Sequence, residues 1–182
     1  MNIALIIAGG SGQRMGQDIP KQFLNVHDRP VIIYTLEAFE RHPNIDAIEV
    51  VCVDGWETIL TAYCKQFNIT KLENIVKGGD NGQSSIRNGI MDIASRHKPE
   101  DLVLIHDAIR PMVSEDIISD CIRVASKYGN AITSIPCMEA MLRTADGVSS
   151  REQIARDNLK RTQTPQAARL GELTEAHKRA LE

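Results

Sequence analysis

Continuous apolar runs recur along the chain with helix-like stretches between them. Ile3–Ala8 (IALIIA), Ile45–Val53 (IDAIEVVCV) and Asp101–His106 (DLVLIH) are the clearest of these runs. Ile3–Ala8 is continuous rather than alternating and so leaves no side for solvent, and the other two read as further strands of the same sheet. The intervening stretches have another spacing. Within Pro30–Glu40, Val31, Ile32, Leu36 and Phe39 fall close to one helix face, and Glu57–Phe67 and Ser84–Arg96 read as further helices. Ser114-Glu115-Asp116 opens a helix to Tyr128, with Gly129 as its stop signal. Asn74–Val76 and Ala131–Ile135 complete the alternation as short strands. Strand–helix alternation of this kind predicts a three-layer α/β domain, a mostly parallel sheet with helices on both faces.

The 182 residues suit one domain spanning residues 1–182, with 42% hydrophobic residues to fill its core. A net charge of -3 gives no electrostatic reason to expect nucleic acid as a partner. No apolar stretch approaches the about 20 residues of a membrane-spanning helix, so no membrane partner is expected. Met1-Asn2-Ile3 lacks the basic opening of a secretory signal. Cys52, Cys64, Cys121 and Cys137 are scattered without C-x-x-C spacing and read as reduced thiols, which together with the missing leader implies a cytoplasmic protein.

After Pro136 the pattern changes. Met138–Thr144 and Ser149–Asn158 are polar and flank a turn at Gly147, which predicts a hairpin arm over about residues 136–160. Ala167–Glu182, rich in Ala, Leu, Glu, Lys and Arg, reads as a helical tail that stops where a larger fold would continue.

The first strand runs straight into Ala8-Gly9-Gly10-Ser11-Gly12-Gln13-Arg14-Met15-Gly16. Glycines here let backbone N–H groups approach an anion closely. Arg14 and Lys21 flank Pro20 and can both reach such an anion, as the charge on a reacting triphosphate requires. No G-K-[ST] closes the turn as in a Walker loop, and Met15 stands where G-x-G-x-x-G needs its third glycine. A plain strand-to-helix turn with solvated cations remains open on these residues alone. So does dinucleotide binding, through Asp54 just beyond the second strand.

The combination A-G-G-S-G-Q-R-M-G…P-K-Q-F resembles the opening of the nucleoside-triphosphate transferases that make activated sugar and polyol phosphates. Its P-K-Q form resembles the cytidylyltransferase branch acting on 2-C-methyl-D-erythritol 4-phosphate or ribitol 5-phosphate. The resemblance implies a Rossmann-like fold in which Arg14 and Lys21 hold the triphosphate and stabilise the transition state, with Ala8, Gly9, Gly10, Ser11 and Gly12 around it. Gly78-Gly79-Asp80-Asn81-Gly82-Gln83-Ser84-Ser85-Ile86 resembles the family's base-enclosing loop G-G-x-x-R-x-x-S-V. It makes Gly79, Asp80 and Ser85 base-side residues and departs from the pattern at Gly82, where the family has Arg.

His106-Asp107-Ala108-Ile109-Arg110-Pro111 is similar to the family's H-D-A-x-R-P. A carboxylate at the end of a parallel strand points to the ligand crevice and suits Mg²⁺ held together with substrate phosphates. The resemblance gives Asp107 the ribose and the metal, Ala108 the nucleotide, and Arg110 the acceptor side. His106 by itself reads as a hydrogen-bonded structural histidine.

Arg156-Asp157-Asn158 and Thr164-Pro165-Gln166 match R-[DN]-N…T-P-Q. They imply an arm that pairs two subunits and carries Arg156 to the acceptor phosphate in the partner's site. Ala140 stands where the family has a Thr hydroxyl, and the family's later T-D-[DE]-A and N-I-K-[IV]-T segments are absent. The expected protein is thus a CTP- and Mg²⁺-dependent transferase making a CDP-alcohol from a polyol phosphate, working as a homodimer. A guanylyl- or uridylyltransferase of the same superfamily shares the first loop. A shortened, non-catalytic nucleotide-binding or regulatory module of the same fold is the alternative from a different class.

Overall fold

A computed structural model of the chain describes residues 1–10 and 19–180. Six strands form one sheet: β1 (Asn2–Ala8), β4 (Ala47–Cys52), β5 (Leu72–Lys77), β6 (Leu102–Asp107), β7 (Asn130–Pro136) and β10 (Lys160–Arg169), in the order β5-β4-β1-β6-β10-β7. The pairs β1–β4, β1–β6 and β4–β5 are parallel, and β10 runs antiparallel between β6 and β7. The remaining strands make two small hairpins, β2 (Asn25–Val26) with β3 (Arg29–Pro30) and β8 (Met141–Arg143) with β9 (Glu152–Ile154).

Among the described residues five helices cover the sheet: α1 (Val31–Arg41), α2 (Glu57–Gln66), α3 (Gly82–Ala94), α4 (Glu115–Tyr128) and α5 (Leu170–Arg179). The period-2 alternation of the strands sorts their side chains into two cores. Ala4, Ile6, Ile48, Val50 and Leu104 pack with α1, α2 and α4 on one face. Ile3, Leu5, Ala47, Val51 and Val103 pack with α3 and α5 on the other. Two-sided burial is why these strands are mostly apolar, with Glu49 in β4 an exception, and it gives the mostly parallel three-layer α/β architecture that the alternation predicts.

Two features differ from the sequence reading. Ala167–Arg169 are not the start of the tail helix but the end of β10, a ten-residue strand. Its sequence, KRTQTPQAAR, lacks an apolar run and contains Pro165, which argues against a central strand. The register shift between Thr162 and Gln166 removes the conflict, because Pro165 sits in the irregular stretch where no ladder donor is needed. The β2–β3 hairpin was also unread; His27 and Asp28 turn it with positive φ values of 48° and 64°.

Glu49 sits in the middle of β4 and is 1% exposed, facing α3. It contacts Arg96, which also bridges Asp92 and Glu73, and its Oε1 has no hydrogen-bond partner among the described residues. Burial, with the neighbouring Asp92 next in size, pushes the Glu49 carboxyl from 4.5 up to about 8 against the pull of Arg96. Folding therefore favours the protonated form. That contribution is complete below the unfolded value of 4.5 and is lost as the pH rises through about 8. Glu49→Gln copies the neutral acid. We expect it to melt several degrees above wild type at about pH 8.5 and much closer to it at about pH 5. A variant that melts lower at both pH values would contradict this reading.

Candidate active site

The chain leaves β1 for β4 and β5 on one side and then crosses to β6 on the other. Such a reversal of strand order opens a crevice at the carboxyl ends of the strands. A cleft of about 890 Å³ lies there, walled by the turn after β1, the loop after β5 and the turn after β6. Lys21 and Gln22 line it as well.

Ala8, Gly9 and Gly10 line the first wall. Ser11, Gly12 and Arg14 lie outside the described residues. Lys21 opens a short 3-10 turn, Lys21–Phe23, capped by the bond from the Phe23 N–H to the Pro20 carbonyl at 2.8 Å. Phe23 is buried and stacks on Trp56, the sole tryptophan of the chain, with ring centroids 4.6 Å apart. The Gln22 side chain donates from Nε2 to the Ala8 carbonyl at 2.7 Å and to the Gly10 carbonyl at 3.0 Å. Sequence reading used the P-K-Q-F string only for its resemblance and gave Gln22 no role. A polar residue beside a buried aromatic was the available signal.

The second wall is the loop Gly78–Asn81. Gly78 donates to the Cys52 carbonyl at 2.8 Å, and the Gly79 N–H donates to the Ser85 hydroxyl oxygen at 3.0 Å. Ser85 is buried between the two glycine loops, so close that a Cβ on Gly9 would lie 3.0 Å from its Oγ. The serine hydroxyl thus accepts from the second wall while lying against the first, and among the described residues its own proton has no acceptor. Asn81 caps α3 through a capping box: Ser84 N–H donates to Asn81 Oδ1 at 2.9 Å, and Asn81 N–H donates to Ser84 Oγ at 2.9 Å. Gly79, Asp80 and Gly82 line the cleft beside this helix start, where the dipole favours an anion. A Cβ on Gly82 would meet nothing within 4 Å, so open space lies where the family's Arg side chain would begin.

Gly79 is different, because a Cβ there would lie 2.3 Å from Ser84 Oγ and 2.9 Å from the Ser84 backbone carbon. Gly79→Ala must displace the capping serine and the loop with it. If the cleft takes CTP, as the resemblance implies, its affinity should fall at least about tenfold, measured by calorimetry with circular dichroism confirming the fold. Unchanged affinity would mean that the loop does not meet the nucleotide.

The third wall follows β6. Its backbone is held from both sides, by the Ala108 N–H donating to the Ile7 carbonyl at 3.0 Å and by the buried Thr35 hydroxyl donating to the Ala108 carbonyl at 2.8 Å. His106 is fully buried against Phe39 and its Nε2 lies 3.0 Å from the Arg110 carbonyl. Burial pushes its pKa down, so it is neutral and donates from Nε2, which agrees with the structural role read from sequence.

Asp107 and Arg110 both line the cleft. Arg110 Nε donates to Asp107 Oδ2 at 2.6 Å and its Nη1 donates to Gln163 Oε1 at 3.0 Å. The Asp107 N–H reaches Thr164 Oγ1 at 3.4 Å. The irregular stretch of β10 therefore borders the site, and Gln163 and Thr164, given no part by sequence reading, flank the aspartate and arginine. Three carboxylates line the cleft, Asp54, Asp80 and Asp107, of which Asp54 is paired with Lys77 and Asp107 with Arg110. No cluster of three or more metal-ligating side chains occurs among the described residues.

Arg156 is not brought to this cleft within one chain. It opens the 3-10 turn Arg156–Asn158 beyond β9 and donates to the Met138 carbonyl at 3.2 Å. The arm is a built hairpin: β8 and β9 pair in register, and the tip closes on Asp146. Hydrogen bonds from Ser149, then Val148 and Thr144, hold the Asp146 carboxyl well below the usual carboxylate range. Met138, Met141, Leu142 and Val148 are all exposed on it.

Residues 2–182 match the family model described as IspD, 2-C-methyl-D-erythritol 4-phosphate cytidylyltransferase. A ribitol-5-phosphate cytidylyltransferase from Lacticaseibacillus paracasei is 41% identical over 181 residues, covering 100% of this chain and 77% of that protein. A 2-C-methyl-D-erythritol 4-phosphate cytidylyltransferase from Syntrophotalea carbinolica is 36% identical over 179 residues, covering 98% and 76%. The crystal structure of 4-diphosphocytidyl-2C-methyl-D-erythritol synthase from Anaerococcus prevotii superposes with a TM-score of 0.83 at 26% identity, covering 100% of this chain and 75% of that one. With the family's loops walling one cleft and the match running along the chain, this protein belongs to the IspD family of cytidylyltransferases, and it is a nucleotidyltransferase.

Proposed function

We propose that the protein transfers the cytidylyl group of CTP to the phosphate of a polyol phosphate, ribitol 5-phosphate first, releasing pyrophosphate. The observation that carries this reading is the convergence of three loops on one cleft: the glycine turn with Lys21, the capped Gly78–Asn81 loop, and Asp107. An acceptor phosphate oxygen attacks the α-phosphorus, a new phosphorus–oxygen bond forms, and the bond to the β-phosphate oxygen breaks with its electron pair leaving on pyrophosphate. The attacking oxygen is already anionic, so no general base is required.

Catalysis then rests on orientation and charge. Lys21 and Arg14 neutralise charge that builds on the departing phosphates, and the glycine turn adds N–H donors. The loop from Gly79 to Ser85 holds the cytosine, with backbone groups and one hydroxyl at its edge. Asp107, which lines the cleft together with Asp54 and Asp80, fits Mg²⁺, which is commonly held by one or two carboxylates together with substrate phosphates. Bound there, the ion supplies charge neutralisation on the triphosphate. Arg110, fixed by Asp107 and Gln163, lies on the acceptor side.

Ribitol 5-phosphate is placed first because the 41% identical relative carries that name against 36% for the methylerythritol enzyme. The exposed apolar residues of the arm favour a homodimer whose arms cross, each delivering Arg156 to the partner's acceptor phosphate. Pyrophosphate release with CTP and Mg²⁺ tests the reading, using ribitol 5-phosphate and 2-C-methyl-D-erythritol 4-phosphate side by side. Faster release with ribitol 5-phosphate supports it. A preference for the methylerythritol substrate corrects the acceptor, and release with neither refutes the reading.

A further inference from the structure

Gln22 is 1% exposed, yet it carries an amide that costs free energy inside a protein unless its hydrogens are bonded. Both hydrogens of its Nε2 are used, one on the Ala8 carbonyl and one on the Gly10 carbonyl. These carbonyls belong to the chain as it leaves β1, where the sheet ladder ends. Ala8 keeps one sheet-side partner, the N–H of Val53 at 3.1 Å. A planar trans peptide points its N–H away from its carbonyl. Drawing the Ala8 carbonyl toward Gln22 therefore turns the Gly9 N–H the other way. Gln22 is also the residue after Lys21, inside the same 3-10 turn, and the next residue, Phe23, is locked in the core against Trp56. One side chain thus bonds the cation-bearing turn to the backbone of the glycine turn.

We propose that Gln22 is a positioning residue for cytidylyl transfer, setting the distance and orientation between Lys21 and the glycine turn that bind one triphosphate. It does not touch substrate. Its effect is on the alignment of the groups that do, and misplacing such groups by about 1 Å costs about 10²-fold in rate. No smaller donor serves both carbonyls: Asn is a methylene short, and Met has the length without the hydrogens. Glu has the shape but, when ionised, only acceptors, and it would face two carbonyl oxygens. Protonated, it regains a single donor.

The kinetic arm of the test rests on the reading under Proposed function, whereas a second arm does not. Gln22→Met and Gln22→Glu are compared with wild type in pyrophosphate release and in CTP binding. Gln22→Met is expected to lose about 30- to 100-fold in kcat while its CTP dissociation constant moves less than about 3-fold, since ground-state binding needs less exact alignment. Gln22→Glu is expected to be as slow at about pH 8 and to recover at least about 5-fold relative to wild type at about pH 6, as the carboxyl buried against two carbonyls takes up a proton. A cavity or lost packing alone would not respond to pH in this way.

Hydrogen exchange of residues 8–10 and 20–23 supplies the second arm, with exchange in both variants expected to be about tenfold faster at about pH 8 than in wild type. Wild-type kcat in Gln22→Met overturns the proposal. A Gln22→Glu profile parallel to wild type, or exchange in these residues unchanged from wild type, overturns it equally. Should wild type itself release no pyrophosphate, the functional reading fails alone and exchange decides the clamp. Should Gln22→Met not fold, the pH profile of Gln22→Glu and its exchange decide it.

Discussion

Replacing Lys21 with Ala is expected to slow pyrophosphate release by about 10²–10³-fold while changing the CTP dissociation constant less than about 3-fold, because a fixed cation acts mainly on charge that grows in the transition state. The geometry makes this a sharp test. Lys21 stands on a turn anchored by Pro20, Gln22 and Phe23, so its main chain should stay in place when the side chain is cut back. Arg14→Ala should behave the same way if the two cations share the triphosphate. Stopped-flow or single-turnover measurements separate the two terms. Equal losses in rate and affinity would show that the lysine only binds substrate, and a wild-type rate would place it in solvent.

Asp107→Asn carries the second large effect, an expected fall of about 10²-fold in turnover at low Mg²⁺. Removing one charge here does two things. It withdraws the anionic oxygen offered to the cation, and it weakens the 2.6 Å contact that holds Arg110 toward Gln163. Raising the Mg²⁺ concentration tells them apart. If the carboxylate binds the ion, the variant should regain at least about tenfold at saturating Mg²⁺, by mass action on a weakened site. If its main task is to hold Arg110, added Mg²⁺ should do nothing and the KM for the acceptor should rise instead. Chelation of divalent ions should stop wild-type turnover; activity that persists in excess chelator would remove the metal from the account.

The core of the fold could be read because burial on both faces makes β1, β4 and β6 largely apolar on both sides, and no loop imitates that. The three cleft loops could be read for a related reason. Each begins where an apolar strand stops, and the glycines and Asp107 there stand out in sequence against the apolar run before them.

What could not be read was stabilised from elsewhere in the chain. β10 has neither alternation nor an apolar run; it is held between β6 and β7, and its irregular stretch absorbs Pro165. Gln22 and Thr35 look like surface residues in sequence, since only the distant carbonyls of Ala8, Gly10 and Ala108 make their burial affordable. Glu49 is hidden in the same way inside an apolar strand, because its partners on α3 and just beyond it lie more than forty residues on. Arg156 lies outside the one-chain cleft, and its assignment depends on a second subunit.

The central claim is that a cytidylyl group is what this cleft transfers. CTP, UTP, ATP and GTP supplied together at equal concentration with Mg²⁺ and ribitol 5-phosphate, followed by mass spectrometry of the products, tests it most directly. The account predicts CDP-ribitol as the dominant product, formed in equal amount with pyrophosphate. A uridine- or purine-linked product in excess, or pyrophosphate without any nucleotide-linked alcohol, would contradict it.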